Sequence, residues 1–294
     1  MTPRAAARAW RSPAFSEKPG FFSAASSWSG VDRERKVAGR SLALGRQLRR
    51  LLTLGADLLL PPACNFCGAD LPSLAEPPLF CSACRQAFRT LQGAVCRRCA
   101  APVAPDHRED DCLRCRDRRY HFQAAVALGV YQGLLRDAVI RMKQNIHEPL
   151  TLSMGYLLAD RIREMLTESA PDLLVPVPAH WLKRVWRGVN GPDLLVEAIA
   201  RRLRLPSADD LIRCRRRTHK QGTLLPSERV ANVRDAFAFN SDYDIVGCHV
   251  LLVDDIMTTG STASEAARTL RRAGAARVSV AVVARGVGLA QRRQ

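Results

Sequence analysis

Asp254 and Asp255 stand side by side after the apolar run Val250-Leu251-Leu252-Val253, and they are followed by Ile256-Met257-Thr258-Thr259-Gly260-Ser261-Thr262. Residues of these types in this order can do two kinds of work. Where a loop opens a helix, the backbone N–H groups of Thr258 through Thr262 have no helical partner and lie at the positive end of the helix dipole, so a phosphate dianion can accept several of them. Gly260 permits the close approach. Asp254 and Asp255 would repel the phosphate itself, but they can accept hydrogen bonds from vicinal hydroxyls. Together the two halves fit a ribose 5-phosphate. The plainer reading is that the two acids end a strand and that Ser261 or Thr262 caps a helix.

A second group is set by cysteine spacing. Cys64 and Cys67, Cys81 and Cys84, Cys96 and Cys99, and Cys112 and Cys115 form four Cys-x2-Cys pairs, with thirteen, eleven and twelve residues between successive pairs. Each two-residue spacer lets a tight turn aim both sulfurs at one ion, and eight thiolates suffice for two closed tetrahedral zinc sites. Closed sites are structural, and with few large apolar residues nearby the metal is expected to supply the folding energy of this segment. Disulfides would need an oxidising compartment, and no secretory signal with a continuous apolar core is present; an iron–sulfur cluster uses the same ligand type. Sequential pairing of the four motifs gives two successive ribbons, whereas cross-bracing joins the first and third. His107 could replace a ligand but reads as a surface residue, and Cys214 and Cys248 read as free thiols outside the pattern.

These groups need elements to hold them. Four apolar residues at 250–253 predict a strand buried on both faces, and apolar positions 263, 266, 267 and 270 predict a helix that Gly274 ends. Arg277 to Val283 reads as the next strand. The resulting βαβ unit puts the loop at the carboxyl edge of a parallel sheet, where ligands bind. Upstream, strands are expected at 124–131 and 172–178, with helices at 134–142, 149–166 and 194–203. Lys143, at the end of the first of these helices, could reach a phosphate or simply answer the helix dipole. The basic loop 180–190 lies at a strand's carboxyl end and suits pyrophosphate. The cationic insertion running on from Arg213 to Phe237 is a candidate lid or a solvated loop.

The segment Asp254 to Thr262, with its hydrophobic strand, resembles the signature of type I phosphoribosyltransferases. By that resemblance Asp254 and Asp255 hold the ribose hydroxyls of phosphoribosyl pyrophosphate, while Thr258, Thr259, Gly260, Ser261 and Thr262 hold its 5-phosphate. Adding the four cysteine pairs, Val175-Pro176-Val177-Pro178, Arg187-Gly188-Val189-Asn190, Thr218 to Thr223, Arg229 and Asn232, the chain from about residue 46 to 286 is similar to the ComF family. The pattern departs at Gly191, where that family usually carries glutamine. The resemblance implies an α/β parallel-sheet type I phosphoribosyltransferase fold preceded by a small double zinc ribbon with four cysteines at each site. It also implies two structural Zn2+, Mg2+ with phosphoribosyl pyrophosphate, and a link to DNA uptake in natural transformation. Candidate pyrophosphate or lid contacts are Lys183, Arg187 and Lys220. Two functions stay open: a phosphoribosyltransferase of unknown acceptor, with no residue assigned as general base, and a non-catalytic adaptor that binds single-stranded DNA and docks a DNA-translocating helicase through its ribbon.

Charge bears on the second. The 294 residues carry 45 basic and 28 acidic side chains, a net of +17, and residues 201–220 alone hold eight basic against two acidic. Polyanions are attracted, although general basicity gives only salt-sensitive, nonspecific contact. The expected organisation is an N-terminal extension without fixed structure (1–45), which could also lie upstream of the true start, then an amphipathic helix and ribbon (46–120), a phosphoribosyltransferase-like domain (121–286) and a basic tail (287–294). The apolar stretch at 42–60 carries Arg46, Arg49, Arg50 and Asp57 and falls short of a membrane span, so the expected location is cytoplasmic.

Overall fold

The computed structural model describes residues 61–72, 77–91, 93–105, 112–167, 169–178, 191–215 and 232–287. The N-terminal extension, the amphipathic helix, His107, the whole of the basic loop, residues 216–231 of the insertion and nearly all of the basic tail lie outside them, as do Lys183, Arg187 and Lys220. Six strands are present among the described residues: β1 (Ala124–Val130), β2 (Leu173–Pro176), β3 (Ile212–Cys214), β4 (Phe237–Phe239), β5 (His249–Met257) and β6 (Arg277–Arg285). The helices are α1 (Ser82–Phe88), α2 (Gly133–Arg141), α3 (Glu148–Met165), α4 (Gly191–Leu203) and α5 (Ser261–Arg272).

β1, β6, β5 and β2 form, in that order, one parallel sheet. Its central strands are apolar on both faces, as a parallel sheet sandwiched between helices requires. Val250 and Leu252 share one core with Val278, Val280 and Val282 and with Ala263, Ala266, Ala267 and Leu270 of α5. Leu251 and Val253 join Ala281 and Val283 in the other, against Leu150, Met154, Leu158 and Ile162 of α3 and Leu195 and Ile199 of α4. α3 and α4 approach closely at Gly155, where a Cβ would lie 2.6 Å from that of Ala198.

β5 is longer than its apolar run. It continues through both aspartates to Met257, because its pairing with β6 persists at Asp254, Ile256 and Met257, opposite Val282, Ala284 and Arg285. The arms of the cationic insertion form an antiparallel pair, Ile212 to Cys214 against Phe237 to Phe239, so β-structure flanks what composition presents as one polar stretch.

The cysteine-rich segment packs directly onto this sheet. The Ala125 N–H donates to Arg97 O (2.9 Å), and Val130 N–H to Thr90 Oγ1 (2.8 Å). Asn65 Nδ2 donates to Pro149 O (3.1 Å) and Ser153 Oγ (2.8 Å) at the start of α3. No described helix is long and apolar enough to cross a membrane.

Candidate functional site

Pairing along β5 carries Asp254 and Asp255 to the carboxyl edge of the sheet, immediately before the loop. Asp254 Oδ1 accepts the Asp255 N–H (2.8 Å). Burial, and then the neighbouring charge of Asp255, push the Asp254 carboxyl well above the usual carboxylate range. Asp255 is half-buried and meets Lys143 Nζ at 3.2 Å. Lys143 sits just beyond α2, so the lysine weighed above as an answer to the helix dipole reaches the acidic pair instead. With side chains 40% and 24% exposed, that ion pair contributes at most about 1 kcal/mol to stability.

After Met257 the chain turns through Gly260, whose φ of +78° is left-handed and which, as the N-cap of α5, offers its first turn no side-chain acceptor. Thr259 Oγ1 and Ser261 Oγ are 2.9 Å apart, and the Ser261 N–H donates to Thr259 Oγ1 at 3.4 Å. The loop thus presents hydroxyls and helix-opening amides beside two carboxylates. A Cβ on Gly260 would meet the Tyr120 ring at 2.9 Å as well as forcing a left-handed alanine. Gly260→Ala is therefore expected to cost about 1–2 kcal/mol in urea unfolding.

Arg285 holds the loop from behind. It is buried, 2% exposed, at the end of β6. Its Nη1 donates to Met257 O (2.8 Å), Thr258 O and Gly286 O (2.6 Å), and its Nε donates to Cys99 O (2.7 Å). Arg118 Nη1 and Tyr120 Oη both donate to Thr259 O at 3.0 Å, and Tyr120 stacks on Phe122 with ring centroids 4.6 Å apart. None of these three residues stood out in the sequence reading. Arg285 carried the one available signal, a guanidinium closing an apolar strand buried on both faces.

The cysteines gather sequentially, resolving the choice between successive ribbons and cross-bracing. The sulfurs of Cys64, Cys67, Cys81 and Cys84 lie within 4.8 Å of one another, as do those of Cys96, Cys99, Cys112 and Cys115. Cys67 and Cys81 Sγ are 3.7 Å apart, Cys96 and Cys115 3.7 Å, and Cys99 and Cys112 3.8 Å. Those spacings are far beyond a disulfide, yet they match the edge of a tetrahedron with metal–sulfur bonds of about 2.3 Å. In the second quartet, hydrogen bonding from the Cys96 thiol lowers Cys99 to about 4 despite burial, with Arg285 helping, whereas burial and the Cys99 charge push Cys115 up to about 12. Four thiols so close cannot all ionise unaided, and a dication is what allows it. Both sites fit structural zinc. The second is buried at all four cysteines, while Cys67 of the first is exposed. Cys214 and Cys248 lie in neither quartet.

Two family models match the chain: a double zinc ribbon domain over residues 55–116 and a phosphoribosyl transferase domain over residues 194–293. The DNA utilization protein YhgH of Escherichia coli strain K12 is 31% identical over 227 residues, which cover 76% of this chain and 96% of that protein. This chain belongs to the ComF family. Other relatives carry competence names: Competence protein F of Haemophilus influenzae is 26% identical over 209 residues (70% of this chain, 90% of that protein), and Competence protein ComFC of Bacillus subtilis is 26% identical over 203 residues (67% and 79%). As a ComF-family member the chain joins a double ribbon of two cysteine quartets to a parallel-sheet phosphoribosyltransferase-like unit, and the contacts above show the two packed together.

Proposed function

We propose that the loop Thr258, Thr259, Gly260, Ser261 and Thr262 binds the 5-phosphate of phosphoribosyl pyrophosphate, or of a related ribose phosphate, while Asp254 and Asp255 accept its ribose hydroxyls. The observation that carries this is the juxtaposition of two carboxylates at the end of β5 with the glycine-capped opening of α5. One edge of the sheet therefore offers acceptors for hydroxyls and donors for an anion. The hard carboxylate oxygens also suit Mg2+, which would neutralise pyrophosphate charge when bound with the ligand. Lys143 faces the same acids and joins Lys183, Arg187 and Lys220 as a candidate pyrophosphate contact. In a transfer reaction the ribose C1–oxygen bond to pyrophosphate breaks as an acceptor nucleophile bonds to C1, and these cations stabilise the departing charge.

Mass action supplies the test. A ligand present at a hundred times its Kd stabilises the folded chain by about 2.7 kcal/mol, so phosphoribosyl pyrophosphate with magnesium should raise the melting temperature by several degrees. No shift at millimolar ligand would reject the reading. If the melting point shifts, pyrophosphate release across candidate nitrogen-base acceptors separates a transferase from a binding protein.

Binding should also depend on pH. The free protein holds Asp254 protonated above the ordinary carboxylate pKa, and hydroxyls or magnesium favour the carboxylate, so binding expels a proton. Affinity therefore rises with pH between the ordinary carboxylate value and the elevated one. Over that interval the free folded chain binds more protons than the unfolded chain, and its stability falls as pH rises. Calorimetry in buffers of differing ionisation enthalpy measures the released proton.

The competence and DNA utilization names of the relatives support a role with DNA, and a cytoplasmic location with a DNA-translocating helicase as partner is the proposal that goes with it. A specific feature favours contact with single strands. A cavity of about 410 Å³ between β4 and α5 is lined by Arg215, Arg268, Arg272, Phe237 and Phe239. Arg268 is ion-paired with Glu265 and Asp235, and Asp235, which also lines the cavity, feels the charge of Arg272 as well; Arg215 and Arg272 are the proposed phosphate contacts, with the half-buried Phe239 as a stacking surface. Replacing Arg215 and Arg272 with glutamine should reduce the salt dependence of oligonucleotide binding by about one to two in the log–log slope, and an unchanged slope would exclude this groove.

A further inference from the structure

The second cysteine quartet and the phosphate loop share a set of hydrogen bonds. Arg285 spans them with one guanidinium: Nε holds Cys99 O inside the knuckle, and Nη1 holds Met257 O and Thr258 O where the loop leaves β5. Beyond Cys115 the chain continues straight into Arg118 and Tyr120, whose donors converge on Thr259 O. The Tyr120 ring also walls Gly260. Farther along, the His121 N–H donates to Ser264 Oγ (3.1 Å) in the first turn of α5. Three carbonyls of the loop and its approach are thus held, Thr259 O by Arg118 and Tyr120 of the ribbon, and Met257 O and Thr258 O by Arg285 of β6, which also holds the knuckle. A peptide whose carbonyl is held behind the loop has its N–H directed to the opposite side, so these contacts bear on the direction of the amides offered to an anion. The first quartet has no comparable link: its described contacts run to α2 and α3, through Arg141 Nη1 to Phe66 O (2.9 Å) and Asn65 to Pro149 O.

We propose that Arg285, Arg118 and Tyr120 are positioning residues that couple zinc in the Cys96, Cys99, Cys112 and Cys115 site to ribose-phosphate binding in the loop. The coupling rests on the binding reading above. It is reciprocal: whatever holds the loop in its anion-binding shape also holds the knuckle closed, so ligand retards loss of this zinc and loss of this zinc weakens the ligand. The first zinc site stands outside the linkage.

The full-length zinc-loaded chain is challenged with a chelator and N-ethylmaleimide, with and without phosphoribosyl pyrophosphate and magnesium. Mass spectrometry then follows alkylation of each quartet while calorimetry on the same sample verifies binding. Ligand is expected to slow alkylation of Cys96, Cys99, Cys112 and Cys115 by about fivefold or more, with less than twofold change at Cys64, Cys67, Cys81 and Cys84. The Arg118→Gln/Tyr120→Phe variant leaves the buried Arg285 in place. It should keep two zinc ions, bind the ligand more weakly and lose most of the selective protection; Arg285→Lys should do the same more severely. Ligand that binds yet protects neither quartet, or both equally, overturns the coupling alone, as does full protection in the double variant. If the wild-type chain does not bind the ligand, the binding reading falls and the coupling falls with it.

Discussion

Replacing Asp254 and Asp255 together with asparagine is expected to abolish phosphoribosyl pyrophosphate binding while leaving the fold as stable as before, or more so. Two effects of opposite sign are involved. Each carboxylate that accepts a ligand hydroxyl contributes about 1.5–3 kcal/mol, so losing both weakens affinity on the order of a hundredfold or more. In the free protein Asp254 opposes folding: burial and then the charge of Asp255 push its carboxyl well above the usual carboxylate range, and a neutral amide of the same shape relieves both. Lys143 offsets part of that repulsion through Asp255. The variant should therefore melt at or above the wild-type temperature without ligand and show no rise with it. A melting temperature several degrees lower would mean the acids serve the fold, and undiminished affinity would mean they do not touch the ligand.

The second large effect is metal removal. Apparent zinc binding energies of small cysteine sites run to about 10–16 kcal/mol, comparable with the entire stability of an ordinary domain at about 5–15 kcal/mol. The first site shares the sheet's core through Phe80 and Phe88, but the second has less to hold it: its cluster is Cys96, Cys99, Cys112, Cys115 and Ala101, with Val103 and Tyr120 the partly buried apolar residues packed against it among the described residues. Elemental analysis should find two zinc ions per chain. Cys96→Ser should lower that to one and open the ribbon to proteolysis, and Cys64→Ser should remove the other. The two losses should differ beyond the ribbon: opening the second site exposes Arg285 and the phosphate loop to hydrogen exchange, whereas opening the first exposes the start of α3 through Asn65. Full zinc content in both variants would contradict the assignment of these ligands.

What the sequence made legible was local. Two-residue spacers between cysteines, the apolar run before Asp254 and the periodicity of residues 263 to 270 each describe a few consecutive residues, and each appears in the structure as a knuckle, a strand and a helix. The quartet pairing was not legible, because spacing alone allows successive ribbons or cross-bracing and only the packing of the chain selects one. β5 outran its apolar stretch because ladder pairing with β6 carries on past the point where side-chain hydropathy changes. The antiparallel pairing of β3 and β4 was hidden because three-residue strands flanking a charged segment leave almost no period to read.

The contacts of Lys143 and Arg285 were hidden for a different reason. Their roles depend on partners about a hundred or more positions away, Asp255 for the first and Cys99 for the second, and no local pattern records such a contact. The buried arginine did leave a trace, since a guanidinium closing a strand buried on both faces must find several acceptors and so marks a junction. Arg285 finds four carbonyls: Cys99 O in the ribbon, Met257 O and Thr258 O where the loop leaves β5, and the neighbouring Gly286 O.

The most direct measurement is the electron density of a crystal soaked with phosphoribosyl pyrophosphate and magnesium. The expected result is a 5-phosphate on the backbone amides of residues 258–262, with the ribose hydroxyls within hydrogen-bond distance of Asp254 and Asp255. An empty loop, or density for the ligand elsewhere on the chain with the two acids untouched, would contradict the account.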